Sequence, residues 1–170
     1  MASAIATEGI KLCAESLAQA VRNGHDLQAR ANMLKAATFG GVAFQKGLGA
    51  CHSLAHPLSA EHGMHHGLAN ALCLPAVLDF NRGVATRKLA RIARLLGVRG
   101  DDDETLAFEC AGAVRALRHA VGLPEGLGAE GITREHLDNL ADLAFEDVCH
   151  QENPRACTRD DLLTLYTASL

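Results

Sequence analysis

The sequence predicts an all-α fold, and three observations support that class. Apolar residues recur at helical spacing along most of the 170 residues, glycine and proline separate the periodic segments, and no run alternates apolar and polar residues as a strand does. Hydrophobic residues make up 48% of the chain and aromatic residues only 4%, so the expected core consists mainly of Ala, Leu and Val. We therefore expect a single helical domain over residues 1–170, a multi-helix bundle without a parallel sheet.

The N-terminal part of the chain carries two predicted helices. A stripe of apolar residues from Ile10 to Val21 predicts the first helix, which stops near Asn23-Gly24. The second helix begins after Asp26, a typical N-cap residue, and extends to Lys46. The Gly40-Gly41 pair in its middle predicts either a kink or the close approach of another backbone, and we favour close packing.

Four more helices are predicted downstream. A short helix is expected over residues 89–96, and a longer one follows the acidic turn at 101–104. Thr133 is expected to cap the next helix. The last helix begins at Thr158, which forms a variant of the capping box with Asp161.

Charge and hydropathy exclude several classes of function. Sixteen basic and twenty acidic residues give a net charge of -4, and no basic run stands out, so we expect no nucleic-acid partner. No apolar run approaches the roughly 20 residues of a membrane span, and the first residues lack the pattern of a signal peptide. We therefore expect a cytoplasmic protein with no membrane partner.

The six cysteines are scattered along the chain without a C-x-x-C pair. Most of them lie on apolar helical stripes, and we interpret them as small buried hydrophobic residues. A zinc-cysteine site or a disulfide framework is the alternative. The six are Cys13, Cys51, Cys73, Cys110, Cys149 and Cys157.

Five of the nine histidines lie between positions 52 and 66, where chance would place about one. His52 and His56 are four residues apart, so in a helix both imidazoles project from one face. Pro57 predicts that this helix kinks or ends nearby, which leaves His62 to His66 in a loop. The cluster indicates either two ligands of a metal site or polar loop residues.

One pattern includes this cluster and extends over nearly the whole chain. Its core is G-x-x-H-x-x-A-H-P-L at 49–58, followed by H-G-x-A-N-A at 66–71, with His52 and His66 fourteen positions apart. The pattern resembles the signature of iron-containing (group III) alcohol dehydrogenases. The resemblance continues through segments 74–81, 121–124, 147–149 and 153–155.

The resemblance implies a fold and a role for three histidines. The fold is the C-terminal helical domain of iron-dependent alcohol dehydrogenases, a dehydroquinate synthase-like bundle. His52 and His66 would bind a divalent metal, Fe2+ or Zn2+, which acts as a Lewis acid on the alcohol oxygen while hydride passes to NAD(P). His56 would line the active site without binding the metal, where it can relay a proton.

The chain also departs from the family pattern. The family supplies two further metal ligands from an upstream D-x-x-x-H helix, and no Asp here is followed by a His four residues later. His52 stands where a Gly-rich phosphate loop beginning at Gly47-Leu-Gly49 needs a third glycine. We therefore expect an incomplete metal site and no nucleotide-binding domain.

The expected function is that of a catalytic-domain fragment. It would belong to an NAD(P)-dependent alcohol dehydrogenase or aldehyde reductase acting on a small alcohol or aldehyde, and it would be inactive alone. One alternative is a subunit of a split dehydrogenase, completed by a separate nucleotide-binding chain. Another is a non-catalytic helical metal-binding or interaction module. An apolar face left for the missing domain also predicts a homo-oligomer.

Overall fold

The computed structural model describes residues 1–170, which form α-helices, short 3-10 helices and connecting turns, with no β-strand. The prediction of an all-α fold is confirmed. The seven α-helices are α1 (Ala2–Arg22), α2 (Leu27–Ala43), α3 (Ala50–His62), α4 (His66–Leu95), α5 (Asp103–Ala120), α6 (Leu137–Glu146) and α7 (Arg159–Ser169). The 3-10 helices cover Phe44–Lys46, Leu127–Glu130, Arg134–His136 and Val148–Glu152.

The chain forms two compact units, and each is built from two separate stretches. The first unit consists of Met1–Gly47 and Arg87–Gly122 and contains α1, α2, the end of α4, and α5. The second unit consists of Leu48–Thr86 and Leu123–Leu170 and contains α3, most of α4, α6 and α7. The expectation of a single domain over residues 1–170 stays a prediction.

Small residues and a side-chain hydrogen bond hold α1 against α2 in the first unit. A Cβ on Gly9 would lie 3.2 Å from the Cβ of Phe39, so α1 approaches α2 closely at this point. Asn32 donates a hydrogen bond of 3.0 Å to the Ser16 hydroxyl. The close packing predicted for Gly40-Gly41 is wrong, because no atom lies within 4 Å of a Cβ built on either glycine. The glycine that permits close approach is on the facing helix.

Several predicted helix ends in the first unit are confirmed. Asp26 and Asp102 accept hydrogen bonds from the backbone N–H groups of the first turns of α2 and α5. The short helix predicted over 89–96 corresponds to the part of α4 that follows a kink, and it ends before Gly97, which has the left-handed φ of 88°. Ala85 interrupts the helical backbone of α4 with φ -129° and ψ 18°, and the helix resumes after it.

The second unit is organised around a core of buried aliphatic side chains. Tyr166 of α7 is fully buried in this core, and its hydroxyl donates a hydrogen bond of 2.7 Å to the carbonyl of Leu54 in α3. The predicted capping box of α7 is confirmed, since Thr158 and Asp161 exchange hydrogen bonds. Thr133 caps the 3-10 helix that leads into α6. The core consists mainly of Leu54, Leu58, Leu72, Val77, Leu127, Leu137, Leu140, Leu162, Leu165 and Tyr166, with several alanines.

The predicted loop after Pro57 is wrong, because α3 continues for five residues beyond the proline to His62. Leu54 and Leu58 on either side of Pro57 are fully buried, and their burial holds the helix together across the missing N–H. Helix α3 ends at Gly63, which has the left-handed φ of 64°, and α4 begins at His66. Only residues 63–65 therefore lie between the two helices.

The structure also tests the predictions for the six cysteines and for membrane spans. No pair of cysteines forms a disulfide, and only Cys73 and Cys110 are fully buried. The prediction of buried residues holds for two of the six. None of the helices combines the length and the hydropathy that a membrane span requires.

Tyr166→Phe is expected to destabilise the second unit by about 1–3 kcal/mol, because the Leu54 carbonyl loses a buried donor. Thr167→Ala, a neighbouring change on the exposed side of α7, should stay within about 0.5 kcal/mol of the original protein. Urea denaturation followed by circular dichroism measures both. Equal midpoints for the two variants would contradict the importance assigned to this hydrogen bond.

Candidate functional site

Three histidine rings converge beside the first half of α3 and the start of α4. The ring centroids of His52 and His66 are 5.3 Å apart, and those of His56 and His66 are 5.4 Å apart. His52 and His56, one turn apart on α3, have ring centroids separated by 5.8 Å. The tight turn at residues 63–65 returns the chain so that the first residue of α4 faces them.

The distance between His52 and His66 suits a shared cation. An imidazole nitrogen about 2 Å from a tetrahedral ion places the centroids of two bound rings roughly 5 Å apart. The 5.3 Å separation agrees with that value. His66 Nε2 lies 3.1 Å from the amide nitrogen of Asn70, one turn further along α4, so this amide orients the ring.

The environment favours the neutral form of His52. Burial lowers the pKa of His52, the neighbouring His66 and His56 lower it further, and Asp147 partly opposes them. A neutral imidazole has a lone pair available for a cation, whereas a protonated one does not. The electrostatics of the cluster therefore favour the form of His52 that binds metal.

The Asp147 carboxylate accepts hydrogen bonds from side chains and from the backbone. His56 Nδ1 lies 2.7 Å from Oδ2, and the Ser53 hydroxyl donates to Oδ1 at 2.8 Å. The backbone N–H of Cys149 also donates to Oδ1 at 2.8 Å. Burial alone would raise the pKa of Asp147, but the hydrogen bonds outweigh it and hold that pKa well below its ordinary value.

The segment after α6 carries a thiol beside this carboxylate. One ligand atom each from His56, Asp147 and Cys149 lies within 4.8 Å of the others. Burial and the neighbouring Asp147 carboxylate raise the pKa of the Cys149 thiol to about 11. Cys149 is therefore protonated at neutral pH. A cleft of about 180 Å³ opens next to His56 and Asp147.

A buried pair of amides supports the start of α3. Asn81 and Asn153 donate to one another's carbonyl oxygens at 3.1 and 2.7 Å, and Asn153 Oδ1 also accepts the backbone N–H of Ala50. A Cβ on Gly49 would lie 3.0 Å from that same oxygen, so glycine permits the close approach. This contact explains why a glycine precedes the histidines of α3 in the motif.

The remaining histidines of the cluster point elsewhere. The ring of His62 faces His136, with centroids 4.8 Å apart, and His65 Nδ1 accepts the backbone N–H of Gly67. Sequence reasoning gave neither of them a role. The sequence did not predict the hydrogen bond between Asp147 and His56, because the two residues are 91 positions apart and share no local pattern. The only sequence signal for Asp147 was that segment 147–149 resembles the family pattern.

Comparison with known proteins decides the family. The model of the Fe-containing alcohol dehydrogenase family, C-terminal part, matches residues 1–170. The chain belongs to this family. It is 39% identical over 166 residues to a probable alcohol dehydrogenase, EutG, of Escherichia coli K12, covering 97% of this chain and 41% of that protein. It is 37% identical over 170 residues to an NAD-dependent methanol dehydrogenase of Bacillus methanolicus, covering 98% of this chain and 45% of that protein.

A solved structure of this iron-type family agrees with the fold. A 1,3-propanediol oxidoreductase superposes with a TM-score of 0.96 at 32% identity, over 99% of this chain and 45% of that one. The chain thus spans less than half the length of the curated relatives it matches. The resemblance seen in the sequence motifs is confirmed, while the roles of His52, His56 and His66 stay predictions.

Asn153→Ala is expected to reduce the stability of the second unit, because the buried amide of Asn81 and the N–H of Ala50 lose their partner. Each buried polar group left unpaired costs about 1–3 kcal/mol. Gln151→Ala, an exposed change in the same segment, is the matched control. Chemical denaturation measures both, and equal stability of the two variants would show that the amide pair is dispensable.

The depressed pKa of Asp147 predicts a pH-dependent contribution to stability. A carboxyl whose folded pKa is lowered stabilises the fold above its unfolded pKa of about 3.9, and this contribution is lost as the pH falls toward the folded pKa. The stability advantage of the original protein over Asp147→Asn should therefore be largest near neutral pH and shrink below about pH 4. Denaturation curves between neutral and acidic pH, with the exposed Asp101→Asn as control, measure it. An advantage independent of pH would contradict the assignment.

Proposed function

We propose that this chain provides the metal-binding catalytic part of an NAD(P)-dependent alcohol dehydrogenase or aldehyde reductase. The observation that carries the proposal is the 5.3 Å separation of the His52 and His66 rings in a chain that belongs to the iron-containing family. Both residues occupy the motif positions at which the family binds its metal. The proposed substrate is a small alcohol or its aldehyde.

The donor set suits Fe2+ or Zn2+. Two imidazoles are ligands that both ions accept, and the lowered pKa of His52 keeps one of them neutral. A catalytic metal usually has at least three protein ligands, so His52 and His66 account for part of the set. When bound, such an ion polarises an alcohol or carbonyl oxygen. In this proposal the remaining ligands and the NAD(P) site come from residues outside this chain.

The hydrogen bond to Asp147 defines what His56 can do. A carboxylate only accepts hydrogen bonds, so the proton of neutral His56 is placed on Nδ1 and Nε2 keeps its lone pair. The ring of His56 stacks at 5.4 Å from that of His66, and it is thus adjacent to the proposed metal site. His56 is then positioned to accept the hydroxyl proton of an alcohol, or to return one to a carbonyl oxygen.

Two apolar side chains flank the site and favour a covering partner. Phe145 and Val148, on either side of Asp147, are 46% and 68% exposed. Apolar groups grouped around a polar site are typical of surfaces that another domain or a substrate covers. We propose that the nucleotide-binding part of the enzyme, on this or a separate chain, covers this surface. Self-association through apolar surfaces is the alternative that light scattering tests.

His52→Ala and His66→Ala are each expected to weaken Zn2+ binding by at least about tenfold, because each removes one of two proposed ligands. Isothermal titration calorimetry measures the affinity. His65→Ala, an exposed histidine between the two helices, is the matched control and should leave the affinity unchanged. Affinities that respond to neither His52 nor His66 would place the metal site elsewhere.

The purified chain with NAD+ or NADP+ and added Fe2+ or Zn2+ is expected to show no oxidation of small primary alcohols above the buffer blank. The physical reason is that two imidazoles leave the metal without its remaining ligands, and no part of the fold resembles a dinucleotide site. Absorbance of the reduced nicotinamide measures turnover. Metal-dependent turnover by the chain alone would contradict the proposed need for further residues.

A further inference from the structure

A second group of potential metal ligands includes His56. A ring nitrogen of His56, a carboxylate oxygen of Asp147 and Cys149 Sγ lie within 4.8 Å of one another, and all three residues are partly buried. Nδ1 is the His56 nitrogen that faces Asp147. We infer that these three side chains form a separate binding site for a thiophilic divalent cation such as Zn2+. Neither His52 nor His66 supplies a ligand to this site, so it forms whether or not they bind metal. It does use His56, and a cation on Nδ1 would place the proton on Nε2, so a filled site would block the proton-accepting role proposed for His56.

The carboxylate is already oriented for such a site. Ser53 and the backbone N–H of Cys149 both donate to Oδ1 of Asp147 at 2.8 Å, and the backbone N–H of His150 donates to Ser53 at the same distance. These donors leave Oδ2 facing His56, so a cation would replace the hydrogen bond between Oδ2 and Nδ1 and the one between the Cys149 thiol and the carboxylate. Hydrogen bonds that fix a ligand in this way strengthen metal sites.

The donor set selects the type of ion. An imidazole, a carboxylate and a thiolate are ligands of Zn2+, Co2+ and Cd2+, whereas Mg2+ and Ca2+ prefer oxygen atoms only. Three protein ligands leave a fourth tetrahedral position for water, and the cleft beside His56 and Asp147 gives access to it. We therefore expect Zn2+ to bind here and Mg2+ not to.

Binding of Zn2+ would release the proton of Cys149 and move the ring proton of His56. The thiol of Cys149 loses its proton as the metal–sulfur bond forms, and that proton is released to solvent. Neutral His56 keeps one proton, which moves from Nδ1 to Nε2 when Nδ1 binds the ion. Asp147 remains a carboxylate. One proton is therefore released for each Zn2+ bound, and the resulting site is electrically neutral.

Cobalt titration of the full chain tests the site, because Co2+ bound to thiolate gives a charge-transfer absorption in the near ultraviolet that imidazole ligands alone do not. The original chain should develop this band, and Cys149→Ser should lose it. Cys157→Ser, another partly buried cysteine, is the matched control and should keep it. Asp147→Asn should shift the titration to at least about tenfold higher Co2+.

The double variant His52→Ala and His66→Ala separates this inference from the proposed function. The thiolate band should persist in the double variant, since it reports only the site with Cys149. A band that survives Cys149→Ser, that disappears in the double variant, or that never forms would overturn the inference. Zinc affinity at His52 and His66 is measured independently in Cys149→Ser, and helical circular dichroism shows that each variant folds.

Discussion

The Asp147 carboxylate is the interaction on which the candidate site depends. It accepts hydrogen bonds from a side chain of α3, from a second side chain one turn away, and from the backbone that follows it. These bonds tie the 3-10 helix Val148–Glu152 to α3 and fix the orientation of His56 at the same time. A carboxylate is suited to this position because it offers two oxygens that only accept. The amide of asparagine has the same shape but would place an N–H donor where one of these two oxygens accepts hydrogen bonds.

The histidine cluster depends on a second constraint, the geometry of the connection between α3 and α4. The left-handed backbone at Gly63 ends α3 within one residue of His62, and three residues later α4 begins at His66. A longer connection would move His66 away from the face of α3 that carries His52. Burial of the leucines around Pro57 keeps that face helical as far as the turn. Core packing and site geometry are therefore linked in one segment.

The sequence predicts those parts of the structure that local interactions determine. Capping residues such as Asp26 and Thr158 form hydrogen bonds with their own first turn, and the spacing of His52 and His56 follows from helix geometry. Local patterns fail where tertiary packing prevails. Pro57 does not end α3, because buried neighbours offset the missing hydrogen bond.

Pairings between distant parts of the chain have no spacing signal. Asp147 meets His56, and Asn153 meets Asn81, only because the fold brings α3, α4 and the segment after α6 together. The motif resemblance marked these residues without indicating what they contact. The family of the chain was therefore predictable from its sequence, whereas the carboxylate that orients His56 required coordinates.

The buried amide of Asn153 also has a chemical consequence. Asparagine side chains in proteins deamidate slowly when the backbone nitrogen of the next residue attacks the side-chain carbonyl and forms a cyclic imide. The next residue here is Pro154, whose nitrogen carries no hydrogen and is already part of a ring. This route to an aspartate is closed at Asn153. The amide that holds the start of α3 is thus protected against a slow, irreversible change that would place a negative charge inside the core.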